Sequence, residues 1–194
     1  MHIREANPSD IEPMARMMVD SFLAAHRGQI PDEVWEWRQK YWTPEVSAHG
    51  WERIMRDIAN GTTPYACVYV AEGEDAEILG LAMGTPAGGQ HNTGGTGEIC
   101  ALYVHPDHQR HGIGHQLVAS TAAHLAHKGM TKLQIGALKA NLPACKFYEA
   151  LGGQPVAERE VEDAGFLLPE VVYGWSDIAT LLASGSSQRQ TGEP

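Results

Sequence analysis

The feature that most constrains the fold of this chain is an apolar, strand-like run followed by a glycine-marked helix start. Residues 98–104 read Glu-Ile-Cys-Ala-Leu-Tyr-Val, and a His-Pro-Asp segment at 105–107 ends the run. Gly-Ile-Gly at 112–114 then opens a predicted helix over residues 112–128, whose apolar positions fall on one face. A strand that leads through a polar turn into a long helix is typical of α/β domains.

The rest of the chain extends this unit to the order β-α-α-β-β-β-α-β-α-β-β. That order predicts an α/β domain with a central mixed sheet flanked by helices. We expect one domain over residues 1–183, a loop over 84–97 and a disordered polar tail over 184–194. The predicted strands are 2–5, 65–71, 78–85, 98–104, 132–137, 155–160 and 166–175; the predicted helices are one that starts near residue 7, one or two within 31–60, then 112–128 and 142–151.

The composition limits the partners of the chain. A formal net charge of −10 makes nucleic acid a poor partner and either favours a cationic substrate or only aids solubility. The sequence contains no apolar stretch long enough to span a membrane and begins without the apolar run of a signal peptide. We therefore expect a cytoplasmic protein without a membrane partner. Cys67, Cys100 and Cys145 are expected to be buried, inert thiols.

The helix start at 112–114 predicts an anion site. The first backbone N–H groups of a helix have no partner within the helix, and together with the helix dipole they bind an anion such as a pyrophosphate. Glycines at 112 and 114 let phosphates approach the backbone closely. The segment lacks the third glycine of the dinucleotide fingerprint and the Gly-Lys-Ser/Thr of a P-loop. A nucleotide- or NAD-binding domain is therefore disfavoured.

Two linked motifs in residues 98–153 resemble those of the GNAT superfamily of N-acetyltransferases. The first is the family's Arg/Gln-x-x-Gly-x-Gly/Ala motif, which matches Gln109-x-x-Gly112-x-Gly114 after the strand residues Leu102-Tyr103-Val104 and Pro106. The second motif matches Asn141-x-x-Ala144-x-x-Phe147-Tyr148-x-x-x-Gly152. The element order also agrees with the family over most of the chain.

The resemblance implies a GNAT-like fold with splayed strands and acetyl-coenzyme A as co-substrate, without a metal. Pantetheine would lie between the splayed strands, and the backbone of residues 110–115 would wrap the pyrophosphate. The resemblance also implies an amine acceptor and allows a homodimer. The implied coenzyme-binding residues are Leu102, Tyr103, Val104, Gln109, Arg110, His111, Gly112, Ile113, Gly114, His115, Asn141 and Phe147.

In such enzymes the amine attacks the thioester directly, and two residues match the implied acid and base. Tyr148 would protonate the leaving thiolate, since a tyrosine with a pKa near ~10 can donate to a thiolate whose thiol has a pKa near ~8.5. The alternative is a core tyrosine packed beside Phe147. Glu98 would take the proton of the amine, directly or through a water; the alternative is a solvated carboxylate at a strand end.

Four histidines crowd the turn before the helix, at 105, 108, 111 and 115. The spacing of four between His111 and His115 is also found in metal sites, but no His-Glu-x-x-His pattern is present. We therefore favour polar, phosphate-facing loop positions over metal ligands.

The resemblance implies that the acceptor pocket is built from the first two helices and the last hairpin, which here are the segments 22–60 and 158–166. Tryptophans at 35, 37, 42 and 51 and Tyr41 either line an apolar or cation-binding wall or belong to the core. The acidic run of Glu158, Glu160, Glu162 and Asp163 either attracts a cation or forms a solvated face. A small-molecule amine is the leading acceptor class; a peptide terminus or lysine, and a non-catalytic acyl-coenzyme A sensor, are the alternatives.

Overall fold

The computed structural model describes residues 1–89 and 95–183, so the tail predicted over 184–194 lies outside the described residues. Two short 3-10 turns, Pro8–Asp10 and Pro106–His108, accompany the strands and α-helices. The strands are β1 His2–Glu5, β2 Cys67–Glu72, β3 Ile78–Pro86, β4 Thr96–Val104, β5 Lys132–Leu138, β6 Gln154–Asp163 and β7 Phe166–Trp175. The helices are α1 Ile11–His26, α2 Asp32–Tyr41, α3 Pro44–Ala59, α4 Ile113–His127, α5 Leu142–Ala150 and α6 Ala179–Ala183. No described helix is long and apolar enough to cross a bilayer.

The described strands form one mixed sheet in the order β1-β2-β3-β4-β5-β7-β6. Strands β4 and β5 are parallel, with α4 as their crossover, and the other neighbouring strands pair antiparallel. The predicted α/β class and the mixed sheet flanked by helices are therefore confirmed.

Helices cover both faces of the sheet. On one face, α1 and α3 bury Met14 and Trp51 against Val70 and Leu81. We call this the acceptor face, because the resemblance implies an acceptor between the first helices and the last hairpin. On the opposite face, α4 and α5 pack against the sheet through a cluster that includes Leu125. Trp51 is thus a core residue, as one of the two interpretations of the tryptophans held.

The loop predicted over residues 84–97 is shorter in the structure. Its central residues 90–94 lie outside the described part, but its ends belong to the sheet, where Thr85 pairs with Glu98 and Pro86 with Gly97. A Cβ on Gly97 would lie 2.8 Å from Leu125 Cδ1. This glycine therefore allows the close packing of α4 on β4 and does not form a turn. The predicted loop was too long because Gly97 was interpreted as a loop residue.

Strands β4 and β5 part soon after they begin. Their pairing extends from Thr96 with Lys132 to Ile99 with Ile135 and then ends. Opposite β3, Met83 pairs with Ala101 and Gly84 with Ile99, so Cys100 is the extra residue of a bulge. Cys100 is exposed, whereas Cys67 and Cys145 are buried. The expectation of a buried Cys100 was wrong because the bulge removes this residue from the regular alternation of the strand.

A bidentate ion pair ties the first helix to the sheet edge. The Arg4 guanidinium on β1 donates to both carboxylate oxygens of Asp10, at 2.7 and 2.8 Å, and to Glu72 Oε1 on β2 at 3.0 Å. Asp10 also accepts from the backbone N–H of Asn7 and so closes a capping box before α1. The hydrogen bond from Arg4 lowers the pKa of Asp10.

Substitution Asp10→Asn should destabilise the protein in a pH-dependent way. A carboxyl with a lowered pKa in the folded state contributes stability above its unfolded pKa, near ~3.9, and loses it as the pH falls through the folded pKa. We expect a loss of about 2 kcal/mol at pH 7 that shrinks below pH ~4, measured by urea unfolding. The exposed Asp20, with Asp20→Asn, is the matched control. An equal loss at pH 7 and pH 3 would contradict the ion-pair account.

Candidate active site

The parting of β4 and β5 leaves backbone groups on both facing edges without a ladder partner. On β4 this stretch runs from Cys100 to Val104, while β5 remains paired with β7 as far as Leu138. An extended ligand can bind there through backbone hydrogen bonds, as a strand binds a sheet edge. Gln109 Nε2 donates to the carbonyl oxygen of Val104 at 3.2 Å and so anchors the following turn to the end of β4.

The start of α4 faces this opening with unused amide groups. Gly112 is the N-cap residue, in a left-handed conformation (φ 81°), and no side chain caps the helix. The N–H groups of residues 112–115 donate no hydrogen bond to the chain as far as the structure describes it. Ile113 is buried and anchors this first turn to the sheet. These are the properties of an anion site.

Arg110 and His111, in the preceding turn, are solvent-exposed. Arg110 also adopts a left-handed conformation (φ 66°), which is uncommon for a residue with a side chain and is typical of functional turns. His115, in the first turn of α4, is half-buried. This turn therefore presents cationic and polar side chains beside the free amides.

Gly114 brings the two sequence motifs together. A Cβ at this position would lie 3.2 Å from Phe147 Cζ and 3.7 Å from Val104 Cγ2. Its missing side chain therefore lets α5 contact the start of α4 and the end of β4. Three of the predicted coenzyme-binding residues, Val104, Gly114 and Phe147, meet at this point.

The strand residues divide between the two faces. Leu102 and Val104 pack with Ile113 on the α4 side. Tyr103 lies on the acceptor face, packed against the Phe22 cluster, and burial raises its pKa to about 12. Tyr103 therefore contributes its backbone to the opening, while its side chain lies on the face opposite to those of Leu102 and Val104.

Asn141 and the histidines have local structural partners. Asn141 Oδ1 accepts from the N–H of Ala144 at 3.2 Å and caps α5, so its side-chain NH₂ is the group left for a ligand. His105 Nδ1 accepts from the N–H of Asp107, and the His105 and His108 rings lie 5.5 Å apart. Within residues 1–89 and 95–183, no three His, Cys, Asp or Glu side chains are grouped to hold a metal.

Tyr148 lies on α5 in the core, 6% exposed. Its ring is 5.4 Å from that of Phe147 and 5.7 Å from that of Tyr173. Its hydroxyl has no hydrogen-bond partner among residues 1–89 and 95–183. Burial, with a smaller contribution from Tyr103, raises the pKa of Tyr148 above its ordinary value. The phenol is therefore protonated at neutral pH.

Glu98 is bound in an ion-pair cluster that the sequence did not reveal. Its Oε1 accepts from Arg159 Nη2 at 3.1 Å, and Arg159 Nε donates to Glu170. Arg159 on β6 and Glu170 on β7 are directly opposed in the hairpin register. Glu98 is thus neither a free carboxylate nor a solvated one. A more exact hairpin register in the sequence analysis would have identified the Arg159–Glu170 pair.

This cluster lies on the acceptor face. Ile99, Ala137 and Val171 all join the core under α4 and α5, and side chains alternate along a strand. Glu98, Gly136 and Glu170, which adjoin these residues, therefore face the opposite way. A Cβ on Gly136 would lie 2.4 Å from the Glu170 carboxylate carbon, so the carboxylate in this position occupies the space that a side chain at 136 would take.

The tip of the β6–β7 hairpin is tied to α2. Arg38 Nη2 lies 2.7 Å from Asp163 Oδ1, and its guanidinium stacks 4.9 Å from the ring centroid of Trp42. Leu168 of the hairpin packs with Phe22 of α1 in the same cluster. These contacts join the first helices to the hairpin on the acceptor face.

The remaining aromatic side chains of this region are partly buried and partly exposed, and most of the acidic ones form a solvated face. Trp35 is half-buried and donates from Nε1 to the Leu23 carbonyl, whereas Trp37 and Tyr41 are exposed. Glu158, Glu160 and Glu162 lie on an exposed face, where Glu158 pairs with Lys139, and Asp163 is the buried member of the run and pairs with Arg38.

A family model described as the acetyltransferase (GNAT) family matches residues 32–153. The chain belongs to this family. A curated relative from Bacillus subtilis (strain 168), an uncharacterized N-acetyltransferase YuaI, is 30% identical over 179 residues, which is 92% of this chain and 95% of the relative. These findings confirm the predicted GNAT family and an acetyl-coenzyme A-dependent acyltransferase.

Solved structures share the GNAT fold at low identity. PaiA N-acetyltransferase from Thermoplasma acidophilum, in complex with coenzyme A, superimposes with a TM-score of 0.64 at 17% identity, over 87% of this chain and 96% of that one. The putative acetyltransferase yncA from Salmonella typhimurium, with its cofactor acetyl-CoA, superimposes with a TM-score of 0.63 at 18% identity. The match covers 90% of this chain and 92% of that one.

Substitution Gly112→Asp should weaken acetyl-coenzyme A binding by roughly 100-fold or more, because it adds a side chain and a negative charge in front of the free amides. Calorimetric titration of the coenzyme measures the effect. Gly61→Asp is the matched control, since Gly61 is also exposed and left-handed (φ 70°) but ends α3. Equal affinity of Gly112→Asp and Gly61→Asp would mean that the start of α4 does not hold the pyrophosphate.

Proposed function

We propose that this GNAT enzyme transfers the acetyl group of acetyl-coenzyme A directly to a primary amine of a small molecule. The choice of a small molecule as acceptor is supported by the ion pair between Arg38 and Asp163, which joins α2 to the hairpin across the acceptor face. A closed pocket suits a compact amine, whereas a peptide needs an open groove. We also propose a cytoplasmic location, and a homodimer remains a prediction.

The coenzyme is proposed to lie in the opening between β4 and β5. Pantetheine would bond to the unpaired edge of β4 beside Leu102 and Val104, and the pyrophosphate would accept from the free amides at 112–115. These groups fit the coenzyme because they are unpaired donors and acceptors in a line that ends at a helix N-terminus. Its thiol carries the acetyl group as a thioester.

The acetyl transfer is proposed to need two proton movements. The nitrogen lone pair of the neutral amine attacks the thioester carbonyl carbon, the C–S bond breaks, and the thiolate takes a proton from the Tyr148 hydroxyl. Each unit by which the pKa of Tyr148 exceeds that of the thiol costs about 1.4 kcal/mol for full transfer. A phenol whose pKa is raised by burial therefore acts best as a hydrogen-bond donor to the sulfur as charge develops.

Glu98 is proposed to accept the proton that the amine loses. In the structure its carboxylate is bonded to Arg159. The bond must open, or a water must bridge to the second carboxylate oxygen, before Glu98 serves as a base. The availability of Glu98 is thus linked to the position of Arg159.

Substitution Tyr148→Phe should lower kcat by about 100-fold and leave the affinity for acetyl-coenzyme A nearly unchanged, because a proton donor is lost and the ring is kept. Steady-state thiol release and coenzyme titration measure the two effects. Tyr173→Phe is the matched control, since Tyr173 lies in the same core and bonds to Glu149. Wild-type kcat in Tyr148→Phe would remove Tyr148 from the mechanism.

Thiol release from acetyl-coenzyme A with two acceptor panels tests the acceptor class. One panel contains small primary amines, and the other contains short peptides with free N-termini or lysines. Acetylation of small amines at higher kcat/KM supports the proposal, and a preference for peptides overturns it. Tight coenzyme binding without turnover on either panel would favour a sensor.

A further inference from the structure

A guanidinium group bridges two carboxylates on the acceptor face, where β4 and β5 part. Arg159 bonds to its hairpin partner Glu170 and, at 3.1 Å, to Glu98. Strands β7 and β5 lie between β6 and β4 in the sheet. The Arg159 side chain therefore crosses two strands and reaches Glu98, which lies two positions before the opening begins at Cys100.

The three side chains differ in how firmly they are held. The side chain of Arg159 is 44% exposed, whereas those of Glu98 and Glu170 are 15% and 12% exposed. Glu170 also rests against the bare backbone of Gly136. The guanidinium can swing into solvent on its long, flexible stem, while the carboxylates stay in place.

Departure of Arg159 would leave two partly buried carboxylates facing one position without a counter-charge. Such an arrangement is unfavourable because both groups are partly desolvated and repel each other. A cation is therefore the only kind of ligand that replaces Arg159 without this penalty. The formal net charge of −10 further favours the approach of a cation.

We propose that Arg159 is a built-in occupant of the acceptor site, and that the acceptor binds by displacing it. The ammonium or guanidinium group of the acceptor takes its place between Glu98 and Glu170, which makes Glu170 an acceptor-binding residue. This inference rests on the proposed function and narrows its substrate class to amines that bind as cations. A neutral or acidic acceptor finds no counterpart in this cluster.

Calorimetric titration of n-butylammonium chloride and ethylguanidinium chloride tests the displacement, with and without saturating coenzyme A. Arg159→Ala removes the occupant and should bind both cations about tenfold more tightly than the wild type, because no bound group must first be expelled. Arg159→Ala/Glu170→Gln should lose this gain. Lys139→Ala is the control, since the Lys139–Glu158 pair is also a solvent-exposed ion pair but lies outside the cluster.

Folding is checked by thermal unfolding of each variant, and Arg159→Gln replaces Arg159→Ala if the latter does not fold. Unchanged or weaker cation binding in a folded Arg159 variant would overturn the inference and identify Arg159 as a permanent clamp. Failure of the wild type to bind coenzyme A in a separate titration would instead overturn the proposed function. The titrations without coenzyme keep the two failures apart.

Discussion

The site depends on the early separation of two parallel strands. Pairing of β4 with β5 stops at Ile99 and Ile135, while the outer neighbours of both strands continue. Unpaired backbone groups in a sheet interior are costly unless something bonds to them. The bulge at Cys100 and the turn anchored by Gln109 keep these edges apart. The fold thus maintains an incomplete sheet, whose unpaired edges are the groups to which the proposed coenzyme would bond.

The local parts of this arrangement could be predicted from the sequence, and the long-range parts could not. The apolar period and the glycines at 112 and 114 carry local information on a strand, a turn and a helix start. Glu98 and Arg159 are 61 positions apart, and nothing in the spacing between them indicates a contact. The pair Arg38–Asp163, 125 positions apart, was hidden for the same reason.

Two errors in the prediction have physical causes. Gly97 was placed in a loop because glycine is typical of turns, but here a missing side chain makes room for Leu125. Cys100 was expected inside because its strand is apolar, but it is the extra residue of a bulge and so falls outside the regular alternation of the strand. Composition indicates which residues belong to a strand, and only the pairing partner reveals its register.

The contact between Gly114 and Phe147 determines how far the Tyr148 phenol lies from the free amides of α4. Tyr148 follows Phe147 on α5, and Gly114 lies in the first turn of α4, so two packed helices hold the phenol at a constant distance from the free amides. A donor whose phosphates occupy those amides places its thioester at a reach determined by its own arm. Under the proposed mechanism, the spacing between these amides and the phenol would set the length of the arm that the donor needs.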